Sequence, residues 1–212
     1  MPQAAAILIC CFFVALLLWA EYRGQRRLKW IAKPAASAAF VLTALSAGAF
    51  ESTYGLWVLA ALILCMAGDI LLMPKGERSF LAGMAAFAAG HAAYIGAFMS
   101  GGPTVRPLFL FGAALMALFA SLSLRWLWPY LGSFRAPVSV YSAIIAVMVA
   151  TSFLASPPEA SEPSLMVIAG AIGFAVSDLS VAKDKFIAPK FFNRAWGLPL
   201  YYGAQLLLAA SV

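Results

Sequence analysis

Charged residues are scarce in this sequence. Lysine, arginine, aspartate and glutamate make up only 10% of its 212 residues, against about 25% in soluble globular proteins. Hydrophobic residues reach 64%, and the mean hydropathy is +0.93. A soluble globular domain is therefore excluded, and the composition predicts an integral membrane protein.

Metal-binding residues are equally few. The sequence has one histidine and no HExxH motif, so a zinc site with three or four protein ligands would need carboxylate ligands as well and is disfavoured. The three cysteines, Cys10, Cys11 and Cys65, lie inside apolar runs without the spacing of metal ligands. We expect them to be small core residues and not disulfide partners. No metal and no organic cofactor are indicated.

Long apolar runs are what the sequence has in abundance. Runs of about 17 to 22 residues, separated by short polar links, match the length that a helix needs to cross a bilayer. We therefore predict a single domain, an all-α bundle of eight transmembrane helices. The predicted helices lie near residues 4–20, 34–50, 55–73, 80–99, 107–128, 136–154, 164–182 and 195–211. The second helix is expected to open at Lys33 and Pro34, because proline suits a first helical turn.

The basic residues are distributed unevenly between the two sides of this predicted bundle. All fourteen except Arg106 lie in or beside the links that follow the first, third, fifth and seventh helices. Short cytoplasmic loops are rich in lysine and arginine, so we expect a multi-pass protein of the inner (plasma) membrane with both termini outside the cytoplasm. This distribution accounts for the net charge of +6. No separate basic arm remains to bind nucleic acid.

Two aspartates are the only carboxylates well inside the predicted helices. Asp69 ends the third helix, in GDILLMPKGERSF, and Asp178 ends the seventh, in SDLSVAKDKFIAPKFF. A carboxylate inside a membrane is costly, so each aspartate is a candidate functional residue. The alternative is a structural role, in which each aspartate pairs with a nearby lysine or forms a polar seam between helices.

The two aspartates occupy matching positions in the two halves of the chain. The second and sixth helices also open alike, with AKPAAS and FRAPVS. These similarities predict two parallel repeats of four helices, residues 1–103 and 104–212. The third and seventh helices would then run in the same direction. Both carboxylates are therefore expected at nearly the same depth on the cytoplasmic side, where they could face one cavity.

Five further polar residues in or beside the predicted helices are candidates for binding a substrate. Lys33 is either a ligand for a lipid phosphate or an anchor at the membrane surface. His91 and Tyr94 share a face of the fourth helix, and an interhelical hydrogen bond is the alternative role for His91. Gln205 can share a polar face of the eighth helix with a nearby tyrosine such as Tyr202, although tyrosines also favour the membrane interface.

Several short motifs occur in a fixed order along the chain: KP, GDILL, HAAY, SDL and YYGAQLLL. Their order and spacing resemble those of the YhhN-like family, which includes the lysoplasmalogenases of bacteria and animals. The resemblance implies eight membrane helices. It also implies hydrolysis of the vinyl ether bond of a lysophospholipid, a lysoplasmalogen of ethanolamine or choline, to a fatty aldehyde and a glycerophospho-alcohol. The residues that match its motif positions are Asp69, Asp178, Lys33, His91, Tyr94, Tyr202 and Gln205.

The chemistry of a vinyl ether agrees with a pair of carboxyl groups. An acid must protonate the β-carbon, which produces an oxocarbenium ion that water captures, and glycoside hydrolases use paired carboxylates for a similar cation. Burial favours the neutral form of a carboxyl group, and like charges at one site oppose each other. One protonated and one ionised aspartate are therefore expected. The sequence leaves open whether Asp69 or Asp178 is the acid.

Two other classes of protein remain as alternatives. In a proton-coupled transporter or a lipid carrier, Asp69, Asp178 and His91 would relay protons. Against this, both aspartates are expected near one surface, and no predicted helix is interrupted at its centre by glycine and proline. A scaffold or lipid-binding protein without turnover would leave two intramembrane carboxylates without a role.

Overall fold

The computed structural model describes residues 2–102, 107–155 and 164–212. Within these residues the backbone forms eight α-helices and no β-strand. The helices are α1 (Gln3–Arg23), α2 (Arg26–Ser46), α3 (Thr53–Leu71), α4 (Glu77–Met99), α5 (Pro107–Leu127), α6 (Arg135–Ser152), α7 (Leu165–Ala182) and α8 (Phe191–Ala209). Two short 3₁₀ turns, Trp128–Tyr130 and Gly132–Phe134, precede α6, and a π-helical turn, Lys183–Ile187, follows α7.

Seven of the described helices, α1 to α7, are long and apolar enough to cross a membrane. The remaining helix, α8, falls short because polar residues such as Asn193, Arg194 and Gln205 interrupt its apolar sequence. The prediction of an all-α membrane bundle is confirmed. Which side of the membrane each helix end faces stays a prediction, and Arg106 lies outside the described residues.

Two helices, α2 and α8, begin earlier than their apolar runs. Pro34 lies inside α2, which starts at Arg26, so the expectation that this proline occupies the first turn was wrong. Within the turns before Pro34, Lys29 pairs with Glu21 at the end of α1. Arg194 near the start of α8 pairs with the same glutamate. Ion pairs with a neighbouring helix thus stabilise helical turns in segments whose composition resembles a link.

Neighbouring helices pack in pairs along the chain. α1 lies along α2, α3 along α4, α5 along α6 and α7 along α8, while α2 also contacts α8 and α4 contacts α6. Small residues permit the closest approach, since a Cβ on Gly90 of α4 would lie 2.8 Å from Sγ of Cys65 on α3. Cys10 and Cys65 are buried as expected, but Cys11 is exposed. A surface that faces lipid is as apolar as the core, so hydropathy alone could not separate these cysteines.

Candidate active site

A cavity of about 780 Å³ lies at the end of the bundle where α1, α3 and α7 end and where α2, α4 and α8 begin. All eight helices contribute to its wall. Its volume is within the range of about 300 to 1,000 Å³ that is usual for small-molecule sites. Further into the bundle the wall is apolar, with residues such as Met84, Met116, Phe119 and Ile145. The cavity therefore suits an amphiphile whose apolar part enters the bundle.

Charged residues line the outer part of this cavity, which we call its mouth. The two aspartates, Asp69 and Asp178, lie below the mouth. The basic residues in the wall are Arg26, Lys29, Lys33, Lys75, Lys185 and Arg194, and the acidic ones are Glu21, Asp69, Asp178 and Asp184. Basic side chains thus outnumber acidic ones among the described lining residues. A cleft with an excess of one charge concentrates ions of the opposite sign, so this end of the bundle favours an anion.

Asp69 is held by donors from two other helices. It lies in the last turn of α3 and is almost fully buried. Nζ of Lys33, on α2, is 3.1 Å from Oδ1, and Oγ of Ser37, one turn along α2, donates to Oδ2 at 2.7 Å. The hydroxyl of Tyr201, on α8, also donates to Oδ2 at 2.8 Å. Three donors, one of them positively charged, suit an ionised carboxylate.

Asp178 has a different set of neighbours. It lies in the last two turns of α7, and 16% of its side chain is exposed against 3% for Asp69. The hydroxyl of Tyr141, on α6, donates to Oδ2 at 2.9 Å, and Nε2 of His91, on α4, lies 3.4 Å from the same oxygen. Nε2 of His91 is also 3.2 Å from the hydroxyl of Tyr141. Among the described residues, Oδ1 has no hydrogen-bonding partner.

Aromatic side chains fill the space between the two aspartates. The ring of Tyr201, whose hydroxyl donates to Asp69, packs edge-on against Phe87 and Phe174, with centroid distances of 5.9 and 5.4 Å. The ring of Phe174 in turn lies 4.3 Å from that of His91. The two carboxylates therefore line one cavity and are joined through a packed aromatic core, with no direct hydrogen bond between them in the described part of the chain.

The ammonium of Lys33 is already bonded to other groups of the protein. Besides contacting the carboxylate of Asp69, its ammonium donates to the backbone oxygen of the same residue at 3.1 Å. This is the ion pair that the sequence left open as the structural alternative for Asp69. Because the ammonium already has two partners, Lys33 is placed to orient Asp69, and other cations of the mouth are better placed to meet an anion.

Tyr94 and Gln205 lie apart from the cavity wall. The hydroxyl of Tyr94 donates to Oε1 of Gln205 at 2.6 Å, and both side chains are fully buried. Tyr202 is closer to the site, since its hydroxyl donates to the backbone oxygen of Lys33 at 3.3 Å. Of the residues predicted from the sequence, Asp69, Asp178 and Lys33 line the cavity, and His91 and Tyr202 contact Asp178 and Lys33 respectively. Tyr94 and Gln205 form a separate interhelical pair.

Three hydroxyl groups of the site were not among the residues predicted from the sequence: those of Ser37, Tyr141 and Tyr201. A signal for Ser37 was present, because residues four apart share one face of a helix and Ser37 follows Lys33 at that spacing. Tyr201 lies four residues before Gln205, a spacing that indicates a shared helix face but no contact with Asp69. Tyr141 carried no distinctive signal, since tyrosine is common near the ends of membrane helices.

A set of ion pairs crosses the mouth. Glu21, at the end of α1, meets Nζ of Lys29 at 2.7 Å and Nη1 of Arg194 at 2.8 Å. Nη2 of Arg194 meets Oδ2 of Asp184 at 2.8 Å, and Asp184 also accepts from the backbone N–H of Lys190 at 3.1 Å. These contacts tie α1, α2, α8 and the π-helical turn together. They also leave Lys29 and Arg194 with carboxylate partners of their own.

This arrangement offers acid–base chemistry by carboxyl groups. Two carboxylates with unlike neighbours on one cavity can divide the roles of proton donor and charge stabiliser between them. In the part of the chain that the structure describes, histidine, cysteine, aspartate and glutamate side chains form no group of three or more that could hold a metal ion. The hydroxyls and the imidazole around the aspartates are placed to fix the orientation of these carboxylates.

Comparisons with known proteins point to one family. The sequence model of the YhhN family matches residues 28–212. That range takes in both aspartates and the whole wall of the cavity except for Leu17, Glu21, Gly24 and Arg26. No solved structure matches the chain.

Several curated relatives are similar over most of this chain. It is 34% identical over 160 residues to the lysoplasmalogenase TMEM86A of Bos taurus, a match that covers 73% of this chain and 64% of that protein. It is 32% identical over 163 residues to a lysoplasmalogenase of Mycobacterium tuberculosis, covering 73% and 59%. The human lysoplasmalogenase TMEM86A is 31% identical over 158 residues. The chain covers less than two thirds of the length of these relatives.

Proposed function

The chain belongs to the YhhN family, and on this premise we propose that it is a membrane hydrolase that cleaves the vinyl ether bond of a lysoplasmalogen. The products would be a fatty aldehyde and glycerophosphoethanolamine or glycerophosphocholine. The observation that carries the proposal is that Asp69 and Asp178 line a single cavity with an apolar interior and a basic mouth. Such a cavity suits a lysophospholipid, which has one alkyl chain and an anionic head group.

In the proposed reaction Asp178 is the acid. Its Oδ2 is engaged by Tyr141 and His91, whereas Oδ1 has no partner among the described residues and can carry a proton. Transfer of that proton to the β-carbon of the vinyl ether turns the adjacent carbon and oxygen into an oxocarbenium ion. Tyr141 stabilises the carboxylate that Asp178 becomes, because its hydroxyl already donates to Oδ2.

Asp69 is the ionised partner that stabilises the oxocarbenium ion. Lys33, Ser37 and Tyr201 fix its position, so its negative charge needs no reorganisation when the cation forms. A water molecule then adds to the cationic carbon and returns a proton to Asp178. This step restores the acid. The hydroxyl proton of the resulting hemiacetal then passes to the glycerol oxygen as the bond between that oxygen and the former vinyl carbon breaks, which leaves the fatty aldehyde and a glycerol hydroxyl.

The test is release of fatty aldehyde from 1-alkenyl lysophosphatidylethanolamine by the purified protein in detergent. The wild type should release aldehyde, and both Asp69→Asn and Asp178→Asn should lose at least about 99% of the activity. Loss of a general acid costs about 10²–10⁴-fold, and loss of a preorganised group that stabilises charge costs about 10²–10³-fold. Glu77→Gln is the matched control, because Glu77 is an exposed carboxylate at the start of α4 that does not line the cavity. Size-exclusion profiles and thermal unfolding would verify that each variant is folded.

The alternative of a proton-coupled transporter or lipid carrier makes a different prediction. A carrier would release no aldehyde from either the ethanolamine or the choline substrate, and it would move lysolipid or protons across proteoliposome membranes. Wild-type protein that releases no aldehyde would therefore refute the hydrolase and direct attention to transport.

A further inference from the structure

Lys185 is an exposed cation that lies against aromatic rings. It lies in the π-helical turn after α7 and lines the cavity. Its Nζ is 4.6 Å from the ring centre of Phe80 and 5.8 Å from that of Phe134. These two rings and that of Phe186 pack edge to face, with centroid distances between 5.4 and 5.7 Å. We call the three rings the phenylalanine cluster. A cation at such distances is attracted by the negative face of an aromatic ring.

Lys185 differs from the other cations of the mouth. Lys29, Lys33 and Arg194 each meet a carboxylate. In the described ranges Arg26, Lys75 and Lys185 meet none, and of these three only Lys185 lies against aromatic rings. A lysine side chain normally loses much conformational freedom when it binds an anion. The phenylalanine cluster removes part of that freedom in advance and leaves the charge of Lys185 without an anionic partner.

We propose that Lys185 binds the phosphate of the lysophospholipid head group and so selects a phosphate-bearing lipid over a neutral one. This inference rests on the proposed function for its substrate. Helical rise puts Lys185 roughly 10 Å beyond Asp178 towards the mouth. In a lysoplasmalogen, the glycerol backbone and one phosphate oxygen separate the vinyl ether from the phosphorus atom. The phosphate can therefore meet Lys185 while the vinyl ether lies beside the aspartates.

The ammonium of Lys185 also constrains how the rest of the head group is recognised. It already occupies the phenylalanine cluster, so these rings do not serve as a cage for the ammonium of ethanolamine or choline. The acidic groups of the mouth, Glu21 and Asp184, are bound to Lys29 and Arg194. Lys185 is therefore expected to act through phosphate alone and to matter equally for both head groups.

The decisive experiment compares two substrates that differ in the phosphate. With 1-alkenyl lysophosphatidylethanolamine, Lys185→Met should raise KM about tenfold or more, because a hydrogen bond to a charged group is worth about that factor in affinity. Its kcat should stay within about twofold. With 1-alkenylglycerol, which has no phosphate, the same variant should behave as wild type. Lys185→Arg should retain most of the preference, and Lys183→Met, which does not line the cavity, is the matched control.

Two results would overturn the proposal. An equal loss on both substrates would mean that Lys185 is only structural, and an unchanged KM for the phospholipid would place the phosphate elsewhere. A binding assay with the stable 1-alkyl lysophosphatidylethanolamine and 1-alkylglycerol separates this question from turnover. The wild type could release no aldehyde and still prefer the phospholipid in the binding assay. If Lys185→Met then abolished that preference, the proposed function would fail while Lys185 remained the phosphate ligand. In the binding assay, displacement of the phospholipid by inorganic phosphate as readily as by glycerophosphoethanolamine would also contradict the proposal, because Lys185 would then belong to a general anion site.

Discussion

At Asp69 every neighbouring polar group donates, and one neighbour is the ammonium of Lys33. At Asp178 the neighbours are a tyrosine hydroxyl and an imidazole, and both approach the same carboxylate oxygen. Two side chains of one type thus meet different partners because different helices surround them. We propose that this difference in partners assigns the acid role to Asp178 and the charge-stabilising role to Asp69.

Tyr141 provides a test at the same scale. Tyr141→Phe removes the hydroxyl that stabilises the Asp178 carboxylate, so kcat should fall about tenfold or more, since a hydrogen bond to a charged group contributes about 1.5–3 kcal/mol. KM should change little, because the hydroxyl acts on the acid and not on the lipid head group. Tyr54→Phe is the control, since it also removes a buried hydroxyl. The Tyr54 hydroxyl lies 2.7 Å from Oγ of Ser211 and does not line the cavity. Steady-state kinetics in which both variants keep the wild-type kcat would contradict the role of Tyr141.

The apolar runs of the sequence predicted the number and order of the helices better than the residues at which the helices begin. The number and order of the helices follow from hydropathy, but charged or polar residues interrupt the first turns of α2 and α8. Glu21 on α1 stabilises both of these turns, through Lys29 and through Arg194. Arg194 lies 173 residues from Glu21 in the sequence, so a window of consecutive residues cannot detect this pair. The same limit applies to Tyr201, whose contact with Asp69 joins helices far apart in the chain.

The contact between α3 and α4 depends on a small residue. Gly90→Ala would bring a Cβ to 2.8 Å from Sγ of Cys65 and 3.3 Å from the backbone oxygen of Ala61. The helices would have to separate, at a cost of about 1–3 kcal/mol for overpacking. We expect a lower midpoint of thermal unfolding in detergent. Gly203→Ala should not lower the midpoint, because a Cβ there meets nothing within 4 Å and alanine favours a helix by about 0.5–1 kcal/mol. Equal midpoints for the two variants would argue against close packing at Gly90.

Over the whole molecule, the bonds of the two aspartates follow one scheme. Asp69 on α3 is held by α2 and α8, and Asp178 on α7 is held by α6 and α4. α7 corresponds to α3, α6 to α2 and α4 to α8, so corresponding helices are four apart in the order of the eight. We propose that this relation reflects the duplication into residues 1–103 and 104–212 that the sequence predicted. The orientation of the bundle, with the mouth towards the cytoplasm, likewise stays a prediction.

The sequence predicted the fold class and the two aspartates of the site. It did not predict which side chains bond to these aspartates. Asp69 and Asp178 stood out because carboxylates are rare inside apolar helices. Their shared cavity was expected from the matching ends of two helices, and both residues line one cavity. The partners of each aspartate could not be predicted, because the rotation of each helix about its axis is set by packing between helices.

The most direct test of the proposed chemistry is aldehyde formation in D₂O. Protein in detergent would convert 1-alkenyl lysophosphatidylethanolamine, and the aldehyde would be reduced at once and analysed by mass spectrometry. Unlabelled aldehyde incubated in parallel would measure exchange with solvent. Protonation of the β-carbon predicts one solvent deuterium on the carbon next to the carbonyl, with the product absent from Asp178→Asn. Aldehyde that carries no deuterium, or no aldehyde at all from the wild type, would contradict vinyl ether hydrolysis by carbon protonation at this site.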